Sequence, residues 1–182
     1  MIRNITIFGF SEAQIEDTLY KDAFQTAKLL AQEGYTIING GGPGVMRAAS
    51  EGARAWGGKA IGVFFNPAGM TNFEGRDTTN PLDEEIELPN YVERTLKLLE
   101  LGDIYVIFAG GTGTISEFGM AWGLARLYFG YHKPLILYGA FWQEIIEVFK
   151  KNMHLRGEEL KVYRIVRTPQ EVLFAVRELA ET

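Results

Sequence analysis

Two glycine-rich turns contain the residue types and spacing needed to bind an anion. They are 39–44, Asn-Gly-Gly-Gly-Pro-Gly, and 110–114, Gly-Gly-Thr-Gly-Thr, and each lies between a short apolar run and a helix-like pattern. The first turn of a helix has amide groups without internal partners and a partial positive charge, so an anion there gains hydrogen bonds and dipole attraction. In the second turn, Thr112 and Thr114 add hydroxyl donors. Two such turns at corresponding places predict a nucleotide site, whereas either alone would also fit close helix packing.

Two charged residues near these turns could take part in chemistry. Glu117 follows Thr114 by three residues, which is capping-box spacing, and that spacing alone slightly favours a cap over catalysis. A carboxylate beside a phosphate-binding turn also has a chemical use, because it can stabilise a cationic transition state. Arg94 shares a predicted helix face with Tyr91 and Leu98 that would point toward the carboxyl ends of the strands, and its alternative role is that of a solvated arginine.

Helix-start signals accompany these regions. Pro43 is predicted at the first helical position after the first glycine turn, where its missing N–H costs nothing. Asn90 and Glu93 have capping-box spacing, so Glu93 is predicted as a cap and not as an acid. The polar segment 66–83 lacks periodicity and is interpreted equally as a functional lid or as a surface excursion.

The elements that must position these residues alternate between strand and helix patterns. Apolar runs predict strands at 5–8, 35–38, 60–65, 104–108, 135–138 and 162–166, and helical spacing predicts helices at 17–34, 45–56, 91–101, 115–128, 142–151 and 170–179. Continuously apolar strands are typical of a parallel sheet covered on both faces. The predicted fold class is therefore α/β, a doubly wound, Rossmann-like and mainly parallel sheet with helices on both faces. A length of 182 residues with 47% hydrophobic content fits a single nucleotide-binding domain over 1–182.

Composition argues against several function classes. The net charge of −5 is unlike that of a nucleic-acid surface, and the lack of cysteine removes disulfides, thiolate catalysis and cysteine-based zinc sites. His132 and His154 are isolated, so no metal is expected. Neither a dinucleotide fingerprint nor a P-loop is complete, so no cofactor is expected. No apolar run reaches membrane-spanning length and the first residues do not resemble a signal peptide, so we expect a cytoplasmic protein without a membrane partner.

Four segments together carry a family resemblance: 40–46, 93–94, 109–117 and 130–134. They resemble the Lonely Guy (LOG) phosphoribohydrolases, formerly labelled "possible lysine decarboxylase", and the pattern Gly-Gly-x-Gly-Thr-x-x-Glu preceded by an arginine is the specific part. The resemblance extends from the first strand to about residue 141. It implies a Rossmann-like homodimer that hydrolyses the N-glycosidic bond of a nucleoside 5′-monophosphate, of the AMP or cytokinin riboside type, to free base and ribose 5-phosphate.

The resemblance also implies roles for individual residues. Arg94 and Glu117 match the catalytic pair of the family. The positions that match its substrate-binding elements are Gly40, Gly41, Gly42, Gly44, Met46, Gly110, Gly111, Thr112, Gly113 and Thr114. A homodimer fits the residues as well, because the predicted helix over 116–130 is rich in aromatic and small residues, which suits a subunit interface.

Three differences from the family pattern keep a second function open. The family has proline at the position of Ala109, lysine at that of Thr95, and a Cys-Gly-Ser turn in place of 8–11. A molybdenum-cofactor carrier of the same fold, which binds a phosphorylated ligand, is the alternative to a hydrolase. Decarboxylation lacks support because neither turn presents a lysine for pyridoxal phosphate. DNA binding is disfavoured by the acidic charge and the absence of a basic stripe.

Overall fold

A computed structural model describes residues 2–66 and 75–181. Its strands are β1 (Asn4–Phe8), β2 (Thr36–Asn39), β3 (Ala60–Phe65), β4 (Glu84–Leu88), β5 (Ile104–Ile107), β6 (Leu135–Tyr138) and β7 (Tyr163–Val166). Its helices are α1 (Thr18–Gln32), α2 (Val45–Arg54), α3 (Tyr91–Leu101), α4 (Thr112–Leu127), α5 (Phe141–Asn152) and α6 (Pro169–Ala180), with a short 3₁₀ helix at Gly157–Leu160. The strands form one sheet in the order β4-β3-β2-β1-β5-β6-β7.

Every strand pairing in this sheet is parallel. Successive residues of a strand point to opposite faces, and β1 shows this alternation directly. Ile5 and Ile7 pack in a core with α1, α2 and α6, whereas Phe8 packs in a second core with α3, α4 and α5. The sheet is therefore covered on both faces, and the predicted α/β Rossmann-like fold class is confirmed.

The strand order reverses next to β1. The chain passes outward through β2, β3 and β4, and then returns to the other side of β1 with β5. The loops after β1 and β5 consequently separate to opposite faces of the sheet and leave a crevice at the carboxyl ends of the strands, where ligands of such folds bind.

One element was missed and the start of another was misplaced. Residues 84–88 form the parallel edge strand β4 beside β3, whereas the sequence analysis assigned no element between the polar segment 66–83 and the helix at 91. Helix α4 begins at Thr112 and not at 115, because Gly111 is its N-cap and Ile115 N donates to the Gly111 carbonyl at 3.0 Å. The glycine-threonine turn is therefore the first turn of the helix itself.

The cap predictions had mixed outcomes. Asn90 caps α3 as predicted, since Glu93 N donates to Asn90 Oδ1 at 2.9 Å and Asn90 Nδ2 donates to the Glu93 carboxylate at 2.8 Å. Pro43 is not at the first helical position, because the N-cap of α2 is Gly44, with φ of +63°. The capping box of Thr114 with Glu117 is also wrong, since Thr114 lies inside α4.

Candidate active site

A cavity of about 400 Å³ opens at the carboxyl ends of the central strands. The loop after β1 forms one wall, the end of β3 another, and the first turn of α3 lies opposite the first turns of α4. Its lining includes the predicted site residues Gly40, Met46, Arg94, Gly111, Thr112, Gly113, Thr114 and Glu117. The predicted residues Gly41, Gly42, Gly44 and Gly110 do not line it.

The start of α4 presents its backbone to this cavity. The amides of Thr112, Gly113 and Thr114 precede the first internal hydrogen bond of the helix, so they have no partner within it. A Cβ added to Gly111 would meet nothing within 4 Å, and one added to Gly113 would meet only the Tyr91 hydroxyl, at 3.8 Å. Internal packing therefore does not require glycine at these two positions, and their openness leaves the helix amides accessible to an anion.

Glu117 lies one turn further along α4 and is 5% exposed. Arg94 Nη1 donates to Glu117 Oε1 at 2.6 Å, and Arg94 Nε donates to the Val63 carbonyl at 3.1 Å. The guanidinium also lies over the ring of Tyr91, 5.8 Å from its centroid. A charged pair from two helices thus lies in the cavity wall. Glu117 was predicted to cap its own helix, but it accepts a hydrogen bond from Arg94 of α3 instead.

Burial raises the pKa of Glu117 to about 7, because a carboxylate is disfavoured away from water. The Arg94 guanidinium acts in the opposite direction by Coulomb attraction and by its hydrogen bond. Burial is the larger effect, so the carboxyl group exchanges its proton near neutral pH, as a general acid or base must.

Gly40 is required by the position of Arg94. A Cβ on Gly40 would lie 1.7 Å from Arg94 Nη2 and 2.7 Å from Met46 Sδ. The guanidinium therefore rests directly against the backbone of the first glycine turn. The first glycine turn thus forms the part of the cavity wall against which the Arg94–Glu117 pair packs.

The other glycines of the first turn serve packing. The amide of Gly41 donates to Asn39 Oδ1 at 2.8 Å and that of Val45 donates to the Phe10 carbonyl at 2.9 Å, so the start of α2 is partly occupied by protein. A Cβ on Gly44 would lie 2.3 Å from that same carbonyl, and one on Gly42 2.5 Å from Met46 Cε. Two phosphate cradles were predicted. Among the described residues, the second turn contributes Gly111, Thr112, Gly113 and Thr114 to the cavity lining, whereas the first contributes Gly40. A ligand contact for Gly41, Gly42 and Gly44 stays a prediction.

Gly110 also differs from its neighbours in the second turn. A Cβ there would lie 2.1 Å from Thr114 Oγ1, so glycine is needed for the close approach of the strand end to the helix.

The model of the SLOG cluster4 family matches residues 2–164. The chain belongs to this family. The family lies in the LOG-like superfamily, which confirms the predicted resemblance. A Mycobacterium tuberculosis protein named cytokinin riboside 5′-monophosphate phosphoribohydrolase is 32% identical to this SLOG cluster4 protein over 117 residues, which are 63% of this chain and 59% of the relative. The chain therefore spans less than two thirds of that relative's length.

Solved structures with the same fold include molybdenum cofactor proteins. A molybdenum cofactor binding protein from Rippkaea orientalis has a TM-score of 0.71 and 25% identity, covering 99% of the SLOG cluster4 chain and 98% of its own. A Moco carrier protein from Chlamydomonas reinhardtii has a TM-score of 0.67 and 20% identity over 100% of both chains, and this likeness shows the fold alone.

Several lining residues of the SLOG cluster4 protein were missed by the sequence analysis. Phe10 and Glu12 belong to the loop after β1, and Phe64 lies at the end of β3. Tyr91 was identified only as a face neighbour of Arg94, and that spacing of three residues is the signal that could have placed it here. Of the three differences from the LOG pattern, Thr95 is fully buried and outside the cavity lining, whereas the loop after β1 forms part of it.

The polar segment 66–83 is described only from Gly75 onward and at Asn66, so the prediction for 67–74 lies outside the described residues. Gly75 lines the cavity. Asp77 N donates to the Gly41 carbonyl at 3.0 Å and the side chain of Asn80 donates to the Gly42 carbonyl at 2.8 Å. The described part of the segment thus fastens the first glycine turn.

The described residues 2–66 and 75–181 contain no helix with both the length and the apolar character that crossing a bilayer requires. Their acidic, histidine and cysteine side chains form no group of three or more that could hold a metal ion.

Proposed function

We propose that this protein hydrolyses the N-glycosidic bond of a nucleoside 5′-monophosphate, of the AMP or cytokinin riboside type, to free base and ribose 5-phosphate. The observation that carries the proposal is the position of Glu117, a buried carboxyl group in the cavity wall one turn from the open amides of α4. The name of the mycobacterial relative supports the same reaction class.

The phosphate lies at the start of α4. The first-turn amides donate hydrogen bonds to its oxygens and the helix dipole attracts its charge. Thr112 and Thr114, which carry hydroxyl groups, belong to the same turn and line the same cavity. This anchor positions the sugar between the phosphate end and the acidic group one turn below.

The reaction needs negative charge beside the sugar. As the C1′–N bond lengthens, its electron pair leaves with the base and the ribose gains oxocarbenium character. The Glu117 carboxylate stabilises this cation and accepts a proton from the water that adds to C1′. The departing base gains a proton, so water is divided between the two products.

Arg94 acts through Glu117. Its hydrogen bond at 2.6 Å fixes the carboxylate and favours its charged form. Without the guanidinium, burial alone would act on the carboxyl group and keep it protonated. Arg94 is therefore proposed as the residue that keeps the Glu117 carboxylate ionised and oriented.

The variant Glu117→Gln tests the proposal. It keeps the shape of the side chain but can neither carry negative charge nor accept the proton, so we expect at least about a hundredfold lower release of adenine from AMP, with AMP still bound. Glu93→Gln is the matched control, because Glu93 is an exposed cap residue outside the cavity lining. Near-full activity of Glu117→Gln, measured by chromatography of the free base, would contradict the assignment.

A second candidate function is that of a carrier for a phosphorylated pterin such as the molybdenum cofactor. It is favoured by the Rippkaea orientalis protein, whose full-length likeness includes 25% identity. The open helix start would bind the phosphate of either ligand. Binding of a pterin phosphate by the wild-type protein, together with no base released from a panel of nucleoside monophosphates, would favour the carrier over the hydrolase.

We also propose that the protein is a homodimer through the outer surface at the end of α4. Leu127, Tyr128 and Tyr131 are 68%, 64% and 97% exposed, and such contiguous large apolar groups are typical of an interface. A Leu127→Glu change is expected to produce monomers, as measured by light scattering after size-exclusion chromatography. A wild-type protein that is monomeric at micromolar concentration would contradict the dimer.

A further inference from the structure

Tyr91 is the first residue of α3 and lines the cavity opposite the start of α4. Its hydroxyl oxygen lies 2.5 Å from Ser116 Oγ and 3.3 Å from the carbonyl oxygen of Gly113. Ser116 Oγ in turn lies 2.8 Å from the same carbonyl. Two hydroxyl groups and one carbonyl therefore share two hydrogens beside the proposed phosphate position.

These distances fit two orders of donation. In one, Tyr91 donates to Ser116 and Ser116 donates to the Gly113 carbonyl. In the other, Ser116 donates to Tyr91 and Tyr91 donates to the Gly113 carbonyl. In both orders the hydrogen of the Tyr91 hydroxyl goes to an acceptor within the protein.

Either order uses the hydrogen of the Tyr91 hydroxyl within the protein. What its oxygen can still offer a ligand is a lone pair, so it accepts hydrogen bonds and does not donate them. A phosphate oxygen ionised at neutral pH has no hydrogen to give, and it would be repelled. A sugar hydroxyl adjacent to the phosphate can donate, so it is the group that fits.

The ring of Tyr91 is held independently of the hydroxyl. It packs edge-on against Phe65, with centroids 6.0 Å apart, and it lies under the guanidinium of Arg94. Removal of the oxygen alone therefore leaves the ring in place, which separates recognition by the oxygen from the packing of α3.

We infer that Tyr91 determines sugar specificity by accepting a hydrogen bond from a ribose hydroxyl of the bound nucleotide. The inference rests on the proposed function, because it takes a nucleoside monophosphate as the ligand. It makes the protein selective for ribonucleotides over their deoxy analogues, through an oxygen that is not part of the Arg94–Glu117 pair.

The test compares AMP, 2′-deoxy-AMP and 3′-deoxy-AMP in binding by calorimetry and in kcat/KM for base release. Wild-type protein is expected to favour AMP by about tenfold over the deoxy analogue that lacks the contacted hydroxyl. Tyr91→Phe is expected to lose that preference, because it weakens the two ligands that carry this hydroxyl and leaves the third unchanged. Tyr163→Phe is the matched control, since Tyr163 is a partly buried tyrosine of β7 outside the cavity lining.

A change in packing alone would lower the affinity and kcat/KM for all three nucleotides together, and that result would overturn the inference. An unchanged preference for AMP in Tyr91→Phe would also overturn it. If no base is released but the Tyr91-dependent preference appears in binding, hydrolysis fails and the role of Tyr91 stands. If none of the three nucleotides binds at millimolar concentration, the proposed function and this inference both fail.

Discussion

The raised pKa of Glu117 predicts that kcat/KM changes with pH near neutrality, where a carboxyl group with the ordinary pKa would stay ionised. Burial raises its pKa from 4.5 to about 7. Because the proposed reaction needs the carboxylate, kcat/KM should reach a plateau at high pH and fall as the pH drops through the pKa of the free protein. At pH 6 about a tenth of the plateau value should remain, whereas a carboxyl group with the ordinary pKa would still be about 97% ionised.

The assay measures initial rates of adenine release from AMP between pH 5.5 and 8.5. The phosphate of AMP also titrates, with a pKa of about 6, and this affects binding. The pH dependence of AMP binding to Glu117→Gln provides the baseline, because that variant lacks the titrating carboxyl group. Division of the wild-type profile by this baseline isolates the ionisation of Glu117.

Two outcomes would refute the reasoning. One is a corrected profile that is flat from pH 5.5 to 8.5, and the other is a decline centred near the ordinary pKa of a glutamate. Arg94→Met provides a further check on folded protein. Because the guanidinium lowers the pKa of Glu117, its removal should move the midpoint to higher pH.

Three further predictions follow from the glycine turns and their supports. Gly40→Ala should fold but force the guanidinium of Arg94 away from its ion pair, with about a hundredfold loss in kcat/KM, and unchanged kcat/KM in a folded variant would argue against the role of that pair. Gly111→Ala should weaken AMP binding at least about tenfold, because its Cβ enters open space where the phosphate is proposed, with only a small fall in melting temperature from the poorer N-cap. Gly157→Ala, equally open but outside the cavity lining, is the control, and equal AMP affinities for the two variants would place the phosphate elsewhere. Asn80→Ala removes a buried hydrogen bond to a carbonyl of the first turn and should lower the free energy of unfolding by about 1–3 kcal/mol, measured by urea denaturation, whereas a change near zero would mean that the segment does not fasten the turn.

The alternation of apolar strands with amphipathic helices was sufficient to predict the fold, but not β4. Its residues 84–88 are mostly acidic and exposed, so they lack the apolar run that indicated the other strands. The strand exists because β3 offers its free edge, and the charges suit an edge because they discourage further pairing. This information lies in the neighbouring strand and not in the segment itself.

The start of α4 was misplaced for a related reason. Glycine at 113 and threonine at 112 and 114 have poor helix propensity, and the pattern was therefore interpreted as a turn before the helix. Tertiary packing overrides that preference: Phe118 and Ala121 bury the helix against the sheet. A consequence is that Glu117 lies in the second turn of α4, and its capping-box spacing has no structural meaning.

The partner of Glu117 was beyond the reach of local spacing. Arg94 lies on another helix, and its contact with Glu117 depends on both helices covering the same face of the sheet. The family pattern brought the two residues together as a pair, but only the structure shows the hydrogen bond between them. Their burial, which raises the pKa of Glu117, is likewise a property of the packed cavity and not of either sequence segment.

The glycines show most directly how sequence and geometry divide the problem. The sequence alone does not distinguish the roles of Gly40, Gly110 and Gly111. In the structure, an added Cβ would clash with Arg94 at Gly40 and with Thr114 at Gly110, but it would enter open space at Gly111. A glycine that its own protein does not require leaves room for something else to approach the backbone. This distinction supports the proposed phosphate position at α4, and it leaves the first glycine turn in contact with the charged pair. The proposed site thus has neighbouring parts for binding and for chemistry, which substitutions can test independently.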